Sequence, residues 1–216
     1  MAYPTISSPY GLRPVNLIGG LPFAGATRKR RIVAAYAPAI GYGEPLANDT
    51  DGTVIISAAT SAGPATGFAG VFLGCEYIDP VTGQLRFSEY YPGAVTPPSG
   101  FITAYVCDDP NALFKAVIVS GTTTVTGVQY TAVGENAIII KNTLSTVTGN
   151  STLALNASTA TTATYPIRIV DVVQESAYVS GGNTIYPEVI VKFNNFAIDG
   201  NGATSGGHAY NNPLGT

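Results

Sequence analysis

The run Val71-Phe72-Leu73-Gly74-Cys75-Glu76-Tyr77-Ile78-Asp79-Pro80-Val81-Thr82-Gly83-Gln84-Leu85-Arg86-Phe87-Ser88-Glu89-Tyr90 decides the fold. Two stretches dominated by apolar, aromatic and β-branched residues, 71–78 and 84–90, flank five residues with turn chemistry. Pro80 presets φ for a turn and Gly83 accepts positive φ, so the pair reads as a β-hairpin. Period-two alternation then assigns Leu85 and Phe87 to a buried face, with Arg86 and Ser88 outside.

Working outward, residues 32–36, 53–57, 101–107 and 113–119 read as further short strands bounded by Gly, Pro, Asn and Asp. Residues 165–173 and 188–193 read as two longer ones; in the second, Val189, Val191 and Phe193 share a face opposite Lys192. The 25 glycines and 15 prolines leave hardly any window with helical apolar spacing. The two weak helix candidates, 28–36 and 153–164, are crowded with β-branched residues and are better taken as strand or loop. The expectation is an all-β protein, a β-sandwich or jelly-roll-like domain.

Three segments follow. Residues 1–27 contain Pro4, Pro9, Pro14 and Pro22 and read as an extended N-terminal arm, since each proline fixes φ and removes a ladder donor. Tyr10, Leu12, Val15, Leu17, Ile18, Leu21 and Phe23 are too many apolar side chains for a solvated tail, so the arm should lie on something, its own core or a partner. Residues 28–193 form the β-sandwich domain, with the Thr-, Ala- and Ser-rich stretch 120–164 inside it. Residues 194–216 lose apolar periodicity and fill with Gly and Asn, which reads as a flexible or partner-ordered tail.

Only 23 of 216 residues are charged, 10 basic and 13 acidic, less than half the usual share. Such a surface suits contact with other proteins, because interface centres are depleted of charge. A net charge of -3 argues against nucleic acid, whose binding draws on many Lys and Arg. The start has no basic stretch followed by an apolar one, so no signal peptide is read, and no run approaches the length of a membrane helix. Cys75 and Cys107 are expected to be buried free thiols.

Catalytic chemistry finds little footing. His208 is the single histidine and sits in a Gly-rich context unsuited to holding a base; no paired-ligand spacing frames a metal. Asp49-Thr50-Asp51-Gly52 lacks the remaining ligands of a calcium loop and reads as an Asx turn; Asp108-Asp109-Pro110-Asn111 reads as a capped turn. Asp108 and Glu89 are the carboxylates a glycosidase would draw on, but nothing in the sequence sets their separation. The basic run Arg28-Lys29-Arg30-Arg31 reads first as a strand entrance with alternate side chains solvated, and second as a patch for nucleic acid or an acidic partner. Sequons at Asn48, Asn150 and Asn156 carry little without a secretory signal.

The opening Ser8-Pro9-Tyr10-Gly11-Leu12-Arg13-Pro14-Val15 resembles the start of capsid decoration, or cement, proteins of tailed double-stranded DNA phages, including cyanophages. Gly70-Val71-Phe72-Leu73-Gly74 with Tyr77 and Asp79, Phe87-Ser88-Glu89-Tyr90-Tyr91-Pro92, Ala104-Tyr105-Val106-Cys107-Asp108-Asp109-Pro110, Leu113-Phe114, Ile167-Arg168-Ile169 and Glu188-Val189-Ile190-Val191 follow in matching order. The resemblance covers residues 8–193; the tail departs from it and the Thr-rich middle is loosely matched. It implies a non-enzymatic virion protein without cofactors, made in the host cytoplasm and placed on the outer capsid surface. Its implied partners are the major capsid protein and itself, as a homotrimer, with no nucleic acid and no membrane. The arm is then expected to grip the capsid through Tyr10, Leu12, Arg13, Val15, Leu17 and Ile18, and removal of residues 2–25 to leave a folded protein that no longer coats heads. The alternative is a receptor- or carbohydrate-binding module of a phage fibre, for which the 13 tyrosines could stack on sugars; the absence of Trp weighs against it.

Overall fold

Asp79 makes the decisive hairpin. In the computed structural model its Oδ1 accepts from the amides of Val81 (2.8 Å) and Thr82 (3.1 Å), and Gly83 takes φ +69°, turning the chain between two antiparallel strands. The structure describes residues 6–58, 60–61, 67–162 and 164–194. Along the chain these form β1 (Arg13–Leu17), β2 (Arg28–Ile32), β3 (Pro45–Asn48), β4 (Val54–Ile56), β5 (Phe68–Ile78), β6 (Leu85–Ser88), β7 (Ile102–Cys107) and β8 (Ala112–Ser120). There follow β9 (Thr124–Val125), β10 (Asn136–Ala137), β11 (Ile139–Ile140), β12 (Ala154–Asn156), β13 (Ile167–Val172), β14 (Tyr178–Ser180), β15 (Asn183–Ile185) and β16 (Glu188–Phe193). The fold is all-β and sandwich-like. No helix among the described residues is long and apolar enough to cross a membrane.

The larger sheet runs β10-β13-β16-β8-β12-β11, with β1 and β9 also paired to β8. Strand β8 is flanked on both sides: Phe114 pairs with Pro14 of β1 and with Val191 of β16, and Val119 pairs with β9 and β12. Both of its faces are also covered, Phe114, Ala116 and Ile118 by the inter-sheet core and Val117 and Val119 by a smaller cluster with Ala154 and Tyr10, which explains its near-continuous apolar sequence, in which all but Lys115 and Ser120 are buried. The second sheet runs β2-β7-β5-β3-β4, with β6 on the lower half of β5. It curls until β2 nears β4, and Arg30 Nη2 of β2 donates to Asn48 Oδ1 at the end of the neighbouring β3.

That curling gives two main cores. Inside the curled sheet Ile32, Leu46, Val54, Phe72, Ile102 and Val106 pack together, closed by Ile40 and Tyr91 from the connecting loops. Between the sheets, Phe68, Val71 and Cys107 from the outer side of the curled sheet meet Phe114, Ile169, Val191 and Phe193. Phe68 stacks on Phe193 at 4.4 Å, and Phe114 meets the same ring edge-on at 5.6 Å. Each such side chain contributes about 1.5–3 kcal/mol on burial. Cys75 and Cys107 are free and buried, as expected.

Two readings need correction. The strand placed at 32–36 lies at 28–32 instead: beyond Ile32 the chain turns, with Ala35 at φ +60°, and the basic run is itself the edge strand. Its long side chains tolerate an edge, with Lys29 and Arg31 turned to solvent. Leu85 and Phe87, assigned to a buried face, are 58% and 65% exposed. Their alternation is real, but the face they share extends past the region covered by the larger sheet. The weak helix candidates resolve as β2 and β12, and the 120–164 stretch holds β9 to β12 with Ile139 fully buried.

Candidate binding surfaces

The N-terminal segment is built into the body by close backbone approach. Gly11, at φ +79°, passes so near Gly43 O and Ser151 that a Cβ would sit 3.0 Å from each. This places Leu12 in the core, fully buried, its amide donating to Gly43 O at 2.9 Å. Arg13 Nη2 donates to Asn150 Oδ1 at 2.6 Å, and its guanidinium covers the rings of Tyr42 (4.2 Å) and Tyr10 (5.8 Å). Tyr10 donates its hydroxyl hydrogen to Glu188, which also pairs with Lys115 Nζ at 3.1 Å. Burial, reinforced by that carboxylate, raises the Tyr10 phenol far above its ordinary value, so it remains a donor.

Of the six residues nominated for capsid contact, Leu12 is therefore a core residue, and Tyr10 and Arg13 are half-buried in internal contacts. Val15 is half-buried in β1 and Leu17 packs against the inter-sheet core. Ile18 alone is largely exposed, at 54%, and Leu21 beside it, at 64%, was not singled out for contact. The stretch leaves β1 through a turn in which Gly20 N donates to Leu17 O at 2.9 Å. Removal of residues 2–25 would take Leu12 from the core and β1 from the sheet, so the deletion is expected to destabilise the body as well as remove the arm.

A second surface lies on the outer side of the curled sheet, below the larger sheet. Register places the side chains in rows across four strands. Lys29 pairs with Tyr105, which pairs with Gly74, and Glu89 Cα lies 3.9 Å from where a Gly74 Cβ would be. Arg31, Thr103, Glu76 and Phe87 form the next row. Beyond it come Val33 and Phe101, just outside β2 and β7, then Ile78 and Leu85, an entirely apolar row. A bulge between Phe72 and Gly74 re-aims β5, so its upper half faces the other sheet and its lower half carries this row system.

Charge here is arranged, not scattered. Glu76, at the middle, accepts from Lys29 Nζ at 2.9 Å and from the Tyr105 hydroxyl at 2.5 Å, and both bonds hold its carboxyl below the ordinary range. Arg31 lies 3.7 Å from the Phe101 ring centre. A shallow cleft of about 300 Å³ opens between Leu73, Phe87, Glu89 and Tyr105. Sequence reasoning missed Val33, Phe101 and Lys29 as members of one face; the alternation in 28–32 and 101–107 was the available signal.

The residues weighed for catalysis do not converge. Asp108 pairs with Arg28 at 2.8 Å and Asp109 accepts from the Asn111 amide at 2.7 Å, a capped turn. Asp51 accepts from the Thr53 amide at 2.9 Å, the Asx turn expected there. Among the described residues no group of three His, Cys, Asp or Glu is placed to hold a metal ion. His208 and nearly all of the tail lie outside the described residues. Comparison of the chain with known protein families, curated proteins and solved structures returns no match.

Proposed function

We propose that the chain is a structural protein of a tailed-phage particle, attached to the outer surface of the icosahedral head. There it ties neighbouring major capsid protein subunits together and associates with copies of itself. The order of motifs from residue 8 to 193 supports the reading, as does the low charge. The observation that carries it is the grouping of exposed apolar side chains at separate places on one folded chain. Ile18 and Leu21 follow β1, and Leu85, Phe87 and Phe101 share the outer face of the curled sheet. An isolated exposed valine is ordinary, but grouped ones mark contact sites. Several weak contacts on one body gain about 10² to 10⁴ in avidity when engaged together.

With the core anchored by Leu12, the capsid contact falls to the exposed part of the segment, Ile18 and Leu21, in place of the whole arm. Quantitative mass spectrometry of virions from the phage that encodes the chain should find it in hundreds of copies per particle. Ile18→Ser with Leu21→Ser should lower head occupancy without unfolding the protein. A handful of copies, or an intact protein absent from heads, overturns the reading.

A further inference from the structure

The outer face of β2, β7, β5 and β6 is a sandwich face lacking its second layer. The same side of these strands, upstream along β5 and downstream along the antiparallel β7, packs on the larger sheet through Phe68, Val71 and Cys107. Its continuation holds Phe87 and Phe101 more than half exposed, with Leu85, Ile78 and Val33 completing an apolar row. Cations stand on one flank, Lys29 and Arg31 on β2; a carboxylate stands on the other, Glu89 after β6.

We infer that this face pairs with the same face of a second copy, about a twofold axis parallel to the strands. Such an axis lays β2 over the partner's β6 and keeps each row over its own counterpart. The apolar row of Val33, Phe101, Ile78 and Leu85 then meets itself. Arg31 comes over Phe87 of the partner subunit, a cation on an aromatic face. Lys29 comes over Glu89 of the partner subunit. The alternative twofold, perpendicular to the strands, sets the charged row against the apolar one and brings like charge onto like in the middle row, Arg31 over the partner's Arg31 and Glu76 over the partner's Glu76. Complementarity of one face with itself is what an isologous contact requires.

The area sets the strength. Four strands at about 4.8 Å spacing and five residues at about 3.4 Å rise give only a few hundred Å², below the roughly 800 Å² per partner of a standard complex. The curl makes the face convex, which trims it further. The contact is therefore weak in dilute solution and strong only where copies are held side by side. This deepens the self-association named above and commits it to a twofold pair, in place of the threefold implied by the resemblance; it does not depend on the shell.

The test is zero-length carbodiimide cross-linking of the full chain, mixed from ¹⁴N- and ¹⁵N-labelled protein at about 1 mM, read by mass spectrometry. The expected product is a Lys29–Glu89 cross-link carrying both labels. Within one chain these residues are three strand spacings apart, about 14 Å, beyond reach of the reagent. The bonded Lys29–Glu76 pair supplies the single-label control. Leu85→Ser with Phe87→Ser, both at exposed positions, should cut the mixed-label product at least about tenfold while the control stays. Only single-label products, a mixed product insensitive to those changes, or a trimer by sedimentation at the same concentration overturns the contact. Head occupancy, measured separately, decides the shell role.

Discussion

Arg13 holds the N-terminal segment to the body by lying 4.2 Å from the centre of the Tyr42 ring while its Nη2 donates to Asn150 Oδ1 at 2.6 Å. A planar guanidinium can satisfy both partners; an ammonium meets one. Arg13→Ala should therefore cost about 1–2 kcal/mol in urea unfolding, and Arg13→Lys should recover less than half of that. A lysine variant with the wild-type midpoint would refute the stacking role.

Gly70 and Gly83 both have positive φ, +132° and +69°, yet should respond differently to alanine. At Gly70 a Cβ would lie 2.4 Å from Cys107 O and 2.7 Å from Val106 Cγ1, between central strands; at Gly83 nothing lies within 4 Å. Gly83→Ala should cost only the backbone strain, about 1–2 kcal/mol, and Gly70→Ala several times more, with loss of soluble protein. Equal costs would mean that the close approach of β5 and β7 is not rigid.

Glu44 is buried, and burial raises its carboxyl above the ordinary 4.5, outweighing the Ser151 hydroxyl that donates to it and the nearby Lys141. The folded state thus holds this proton to higher pH than the unfolded chain. The stability it supplies is complete below about pH 4.5 and lost as pH rises through the folded value. Glu44→Gln should be more stable than wild type at pH 7 and no different at pH 4. A variant less stable at pH 7 would show that the ionised carboxylate is needed.

Burial pushes the thiols of Cys75 and Cys107 up to about 12, from 9.0. Folded protein at pH 8 should leave a thiol reagent unreacted, and unfolded protein should consume two equivalents. Because the folded state keeps these protons longer, stability should fall as pH rises from about 9 toward 12. Tyr36, Tyr77 and Tyr91, also raised by burial, add to the fall. Double replacement by alanine should flatten part of the slope, and an unchanged slope would assign it to the tyrosines alone.

The hairpin around Asp79, the strands of 101–107, 113–119 and 188–193, and the free thiols were legible because alternation and turn chemistry act locally. What local pattern cannot report is how far a neighbouring sheet reaches. Leu85 and Phe87 alternate as buried residues do, and only the length of the opposing layer leaves them in solvent. The same applies to Leu12: its apolarity was plain, but the Gly11–Gly43 approach that draws it into the core depends on residues some 30 positions apart. The prolines of the first 27 residues pointed to extended backbone, while the pairing of β1 with β8 required knowledge of a strand a hundred residues on.

Strand β8 joins the first and last strands of the described chain, for β1 lies along its first half and β16 supplies Val189 and Val191 opposite Ala116 and Phe114. The curled sheet, by contrast, draws only on residues 28–107, without interruption. During synthesis the curled sheet has all its strands by the time β7 emerges, while the larger sheet waits for nearly the last described residues. A nascent chain must therefore carry β8 with an open flank through the translation of some seventy further residues, the interval in which a chaperone or a premature neighbour would find it.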